Sequence, residues 1–168
     1  PTTVSLLEEV RPYEIAAGGL HSAALCQNGQ LLTWGWGLDG QLGRPCEGGE
    51  SVPAPALLPK GLNARHVSCG GHHTLMLLDD NNVYACGANQ DGQLGLGHAK
   101  LVKRPSCIEM LEGKDVYYLA AGRRFSIAVC EDGVVYSWGG GYLSSKGLKT
   151  GLRRRSMVTA QELAAANI

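Results

Sequence analysis

Short apolar runs alternate along this chain with polar turn pairs, and each run is too short for a helix. His21-Ser-Ala-Ala-Leu-Cys26 and Leu31-Leu-Thr-Trp-Gly-Trp36 flank Asn28-Gly29. Thr74-Leu-Met-Leu-Leu78 and Val83-Tyr-Ala-Cys86 flank Asp80-Asn81, and Ser126-Ile-Ala-Val-Cys130 and Val134-Val-Tyr-Ser-Trp138 flank Asp132-Gly133. β-prone runs bounded by Asn, Asp and Gly read as β-hairpins. Asn-Gly tolerates the positive φ angles of a tight type I′ turn, so that turn is expected between them. A run around Glu14-Ile-Ala-Ala17 leads into the first hairpin, and a proline-led segment from Pro53 to Leu58 follows it. The pattern therefore predicts about four short strands per unit, with almost no helix.

The pattern keeps a fixed period. Gly18-Gly19-Leu20-His21-Ser22, Gly70-Gly71-His72-His73-Thr74 and Gly122-Arg123-Arg124-Phe125-Ser126 stand 52 residues apart (70 − 18 and 122 − 70). Ile15, Val67 and Leu119 keep the same step, as do Pro1, Pro53 and Pro105, and Trp34, Cys86 and Trp138. Gly18, His21, Trp34, Gly70, His73, Gly122 and Trp138 are thus the structural landmarks of a repeat. Units of this size are stacked or arranged radially, because none can bury its apolar face alone. The expected division is residues 1–12 as the last strand of a preceding blade, 13–64 as repeat 1 and 65–116 as repeat 2. Residues 117–160 form a divergent repeat 3, and 161–168 a tail or linker with high helix propensity.

A glycine pair, His-Ser, a strand, an Asn-Gly or Asp-Gly turn, Trp-Gly and then Asp-Gly-Gln-Leu-Gly resembles the RCC1 (regulator of chromosome condensation 1) repeat. Asp39-Gly40-Gln41-Leu42-Gly43 and Asp91-Gly92-Gln93-Leu94-Gly95 carry the likeness best. The resemblance covers roughly residues 13 to 147. It implies an all-β chain of RCC1-like β-propeller blades, three tandem repeats belonging to a larger ring of about seven. Closing such a ring requires further repeats, a partner or a second copy, since unpaired edges invite aggregation. The resemblance also implies two classes of partner, a small GTPase undergoing nucleotide exchange or a component of a ubiquitin ligase. Fold alone does not choose between them.

Composition fits a packed domain, with 44% hydrophobic and 18% charged residues. No apolar stretch approaches the ~20 residues of a membrane-spanning helix, and the first residues lack the pattern of a secretory signal. An intracellular location, cytoplasmic or nuclear, is the expectation. The six cysteines form no C-x-x-C pair and read as small buried hydrophobes, and the scattered histidines do not cluster as zinc ligands. Gly35-Trp36-Gly37 is followed neither by a helical pattern nor by Gly-Lys-Ser/Thr, which argues against a phosphate loop. His21 and His73 hold equivalent positions, with Phe125 in the third, so they are expected to pack near the axis and bond a neighbouring blade's backbone. No cofactor, metal site or catalytic constellation is read from the sequence, and the chain is expected not to be an enzyme.

Charge changes the picture. Residues 1–100 hold 5 Lys/Arg against 9 Asp/Glu, and residues 101–168 hold 10 against 6, so a net charge of zero conceals an acidic and a basic end. Without overall basicity or interleaved aromatics, direct nucleic-acid binding is disfavoured. Individuality lies where the third unit departs from the repeat. Arg123 and Arg124 replace Gly19-Leu20 and Gly71-His72, and Arg153, Arg154 and Arg155 follow a segment that has lost the Asp-Gly-Gln-Leu-Gly pattern. These five arginines are the candidate contacts to carboxylates or phosphates of a partner. The functional expectation is a non-catalytic protein–protein interaction module, an adaptor or scaffold. Guanine-nucleotide exchange is the alternative.

Overall fold

A computed structural model describes residues 10–140 and the short strand Arg153–Arg155. The strand expected in residues 1–12 falls largely outside the described residues, as do residues 143–147, where the repeat motif is lost, and the tail 161–168. The strands are β1 (Pro12–Ala17), β2 (His21–Cys26), β3 (Leu31–Trp36) and β4 (Gly49–Pro55), then β5 (Ala64–Cys69), β6 (His73–Leu78), β7 (Val83–Gly87) and β8 (Val102–Cys107), and finally β9 (Val116–Ala121), β10 (Phe125–Cys130), β11 (Val135–Gly139) and β12 (Arg153–Arg155). Each set of four is an antiparallel meander, ordered β1-β2-β3-β4, β5-β6-β7-β8 and β9-β10-β11-β12. These are three blades of a β-propeller.

The hairpin turns differ from the expected type I′. Among Asn28, Asp80 and Asp132 none has a positive φ; the left-handed residue is the next one, Gly29 (81°), Asn81 (63°) or Gly133 (79°). Gly29 N–H donates to Cys26 O at 2.9 Å and Cys26 N–H to Gln30 O at 2.9 Å, the pattern of a three-residue loop ending in a bulge. The Asn or Asp is chosen by its side chain: Asn28 Oδ1 accepts from Gln30 N–H, Asp80 Oδ1 from Asn82 N–H and Asp132 Oδ1 from Val134 N–H, at 3.1, 3.0 and 2.9 Å.

The core lies between blades. β6 is buried on both faces. Its Met76 and Leu78 pack with Ala23, Leu25, Leu31 and Val67 against the first blade. Its Leu75 and Leu77 pack with Leu119, Ala128, Cys130 and Trp138 against the third. Two-residue alternation along a strand thus serves two cores at once. The outer blades show the same geometry half used. Val67 is 3% and Leu119 1% exposed against the preceding blade, whereas Ile15 at the equivalent position is 77% exposed. On the other side, His21 and His73 are buried against the following blade, while Phe125 is 39% exposed.

Innermost strands of neighbouring blades are joined by side chains and by the glycine pairs. Glu14 Oε1 accepts from Val67 N–H at 2.9 Å and lies 2.7 Å from His66 Nδ1. His66 Nε2 lies 3.1 Å from Leu119 O, with the ring tilted against Tyr118 at 4.9 Å. Ser68 Oγ accepts from Ala121 N–H at 2.9 Å. Gly19 N–H donates to Gly70 O at 3.0 Å, and Gly71 N–H to Gly122 O at 3.2 Å. A methyl group on Gly70 would run into the His73 ring and the Gly122 carbonyl, and the same geometry recurs at Gly18 with His21 and Gly70.

Gly70→Ala is therefore expected to lower unfolding stability by about 1–3 kcal/mol through overpacking. Urea denaturation measures it, and an unchanged midpoint would contradict the glycine-pair account.

Candidate functional site

The repeated polar residues form inter-blade relays. Thr74 Oγ1 donates to Gln41 O at 2.7 Å, so its only hydrogen is used and it accepts from His21 Nε2, 2.8 Å away. Ser126 Oγ likewise donates to Gln93 O at 2.7 Å and accepts from His73 Nε2 at 2.9 Å. The expectation of a bond to a neighbouring backbone is thus corrected: the histidines reach a hydroxyl of the next blade, which hands the bond back to the carbonyl of the first blade's Asp-Gly-Gln-Leu-Gly loop. Trp138 Nε1 donates to the same Gln93 O at 2.9 Å, and Cys86 Sγ lies 3.8 Å from Gln41 O. Trp34 occupies the matching register opposite Ser22 and is half-buried.

The relay fixes both rings as the Nε2–H tautomer. The opposite nitrogen, Nδ1, is buried without a partner in His21 and in His73. Burial, reinforced by neighbouring histidines, pulls both side chains down to about 4. A second proton would need an acceptor where the glycine pair leaves none. Burial also lifts the Cys69 thiol to about 12. All six cysteines are free, and no group of three metal-binding side chains occurs among the described residues.

The loops joining β1 to β2, β5 to β6 and β9 to β10 lie at one face, beside the Asp-Gly-Gln-Leu-Gly loops. Here a second inter-blade link repeats: Asp39 Oδ2 is 2.8 Å from His72 Nδ1, and Asp91 Oδ2 is 3.6 Å from Arg124 Nη1. Arg124, expected to contact a partner, thus has a neighbour within the fold. Its side chain is still 63% exposed, so the pair contributes no more than about 1 kcal/mol and leaves the guanidinium accessible. Arg123 is exposed and has no ion-pair partner among the described residues. Arg153, Arg154 and Arg155 do not join them. They lie on β12, paired with Ser137, Tyr136 and Val135 of β11, so two strands of the blade separate them from β9.

Sequence reasoning missed an apolar group on this face. Trp36 N–H donates to Leu20 O at 2.7 Å, which pairs Leu20 with Trp36; both are exposed, as is Leu38 two residues further along the chain. The equivalent residues are His72, Ala88 and Gln90 in the second repeat, and Arg124 and Gly140 in the third. Comparing repeats position by position at the 52-residue step (70 − 18) carries that signal.

Blades built on these relays define a class, the RCC1-type β-propeller. The family model "Regulator of chromosome condensation (RCC1) repeat" matches residues 28–77 and 80–129, and a second model of the same description matches 14–41 and 64–93. The chain belongs to the RCC1 repeat family. It is 34% identical over 149 residues to the Ultraviolet-B receptor UVR8 of Arabidopsis thaliana, covering 88% of this chain and 34% of the relative. It is 38% identical over 134 residues to the Secretion-regulating guanine nucleotide exchange factor of Bos taurus, covering 78% of this chain and 28% of the relative. The crystal structure of Prp20p from Saccharomyces cerevisiae, a protein with binding properties to Gsp1p and histones, matches with a TM-score of 0.70 at 27% identity, over 87% of this chain and 37% of that one. The chain thus spans about a third of the length of each of these three proteins. No helix among the described residues is long and apolar enough to cross a membrane.

The histidine relays predict a pH dependence. Both rings titrate lower in the fold than in the unfolded chain, so between about pH 6.5 and 4 the unfolded chain binds the extra protons. Stability is full above that window and falls as pH drops through it, by on the order of 3 kcal/mol per ring. Urea titrations from about pH 7.5 down to about pH 4 measure it. His73→Phe, the side chain found naturally at Phe125, should remove its share of the slope; an unaltered slope would contradict the assignment.

Proposed function

We propose that the chain is a non-catalytic interaction module that binds a protein partner through the loop face bearing Arg123 and Arg124. One observation carries this reading. The repeated polar side chains His21, Thr74, His73 and Ser126 are consumed by bonds between blades, while Arg123 and Arg124, which depart from the repeat, stand exposed on one face. A histidine bound to a hydroxyl whose proton is committed to a carbonyl is not arranged to activate that hydroxyl as a nucleophile. Loops on a rigid scaffold are where binding residues concentrate, and two adjacent guanidiniums suit carboxylates of a partner.

Nucleotide exchange on a small GTPase is the second reading, favoured by the likeness to the Bos taurus exchange factor. Exchange requires tighter binding to the nucleotide-free GTPase than to the loaded form, whereas an adaptor shows no such preference.

Affinity capture from cell extract, with and without EDTA to strip magnesium, separates the two. The expected outcome is a partner retained in EDTA and lost with Arg123→Glu/Arg124→Glu, while the melting temperature stays within a few degrees. A small GTPase enriched only after stripping would move the assignment to exchange; a ubiquitin-ligase component retained in both conditions would support the adaptor. Unchanged capture by the double variant would overturn the proposed face.

A further inference from the structure

The glycine pairs do more than hold blades together. With Leu20 and Arg123 they line a cleft of about 550 Å3 at the loop face, within the size range of ligand pockets. Its floor is backbone, contributed by Gly18, Gly19, Gly70 and Gly71, and the amides of Gly19 and Gly71 are already bonded to the next blade. Recognition therefore falls to the side chains at its margins. At one margin stands Leu20, whose carbonyl accepts from the N–H of exposed Trp36 just outside the cleft; at another stands Arg123, with His72 also in the lining.

The apolar margin is not a requirement of the fold. Ala88 N–H bonds His72 O, and Gly140 N–H bonds Arg124 O, both at 2.8 Å, reproducing the Trp36–Leu20 backbone link with polar or small residues. The blades keep one geometry whether this corner is Leu20 with Trp36, His72 with Ala88, or Arg124 with Gly140. The charged margin has a definite sign. The two carboxylates nearby, Asp39 and Asp91, are held by His72 and Arg124, whereas Arg123 has no ion-pair partner among the described residues.

We propose that this cleft binds an extended polypeptide segment of a partner in which a bulky apolar side chain adjoins acidic residues. The apolar group seats on Leu20 and Trp36, and a carboxylate pairs with Arg123. The proposal rests on the interaction-module reading and adds the chemistry of the partner. Exposed Trp and Arg are the residue types that most often dominate binding energy, and a guanidinium meets a carboxylate through two parallel hydrogen bonds.

The test is fluorescence anisotropy of the full chain with three labelled peptides. The first carries two glutamates followed by phenylalanine and leucine. In the second, lysines replace the glutamates; in the third, serines replace the apolar pair. The first is expected to bind with micromolar Kd, the other two roughly tenfold or more weakly. Arg123→Glu and Leu20→Ser should each weaken the first peptide by about the same factor, with Arg123→Gln intermediate and circular dichroism unchanged. Equal binding of acidic and basic peptides, no binding by the folded chain, or indifference to Arg123→Glu would overturn the proposal. Sedimentation tests the competing occupant: self-association abolished by Leu20→Ser with Trp36→Ser would make the corner a contact between copies and also overturn it. If the peptides fail while Arg123→Glu/Arg124→Glu still abolishes partner capture, the cleft proposal falls and the interaction module stands.

Discussion

The structure depends on a three-member hydrogen-bond relay that crosses from one blade to the next and returns. A histidine at the start of a blade's second strand donates to a hydroxyl of the following blade, and that hydroxyl donates to the carbonyl of Gln41 or Gln93 in the loop of the first. Each relay sits where water is excluded, so an unmade bond would leave a buried polar group at a cost of about 1–3 kcal/mol. Shape and polarity are therefore specified together. The first glycine of each pair leaves room for the histidine ring that lies against it, and the second for the backbone of the next blade, while the loop supplies the relay with a backbone carbonyl.

Because both the relay and the apolar core lie between blades, stability belongs to neighbours rather than to single repeats. β6 contributes to two cores; the exposure of Ile15 and of Phe125 shows the same surfaces on the outer blades without that cover. Phe125 ends the histidine series, and with it the hydrogen bond that His21 and His73 make forward.

Strand number, hairpin order and family were legible because they follow from a short-range pattern repeated in register: Asn28-Gly29, Asp80-Asn81 and Asp132-Gly133 mark the turns whichever turn type forms. The type itself was not legible, since Asn28 serves equally as a left-handed residue or as a side-chain acceptor for Gln30. The partners of Arg124 and His72 were hidden for a different reason. Asp91 and Asp39 belong to the loop of the preceding blade, and only the propeller's wrap brings loop and strand start together. Arg153 to Arg155 looked like loop residues because they follow a broken motif, yet they form the outer strand of the third blade. Leu20 and Trp36 were overlooked because apolar residues in a β protein read as core until burial is known.

Repeated polar residues build the scaffold, and the departures from the repeat are where we propose that recognition lies. Long-range nitrogen-15 NMR of the imidazole rings tests the first half most directly. The account predicts His21 and His73 as neutral Nε2–H tautomers at pH 6, with neither ring titrating above about pH 5. Rings that titrate near the ordinary value of about 6.5, or that carry the proton on Nδ1, would contradict it, because the relay would not exist and both histidines would be free for other chemistry.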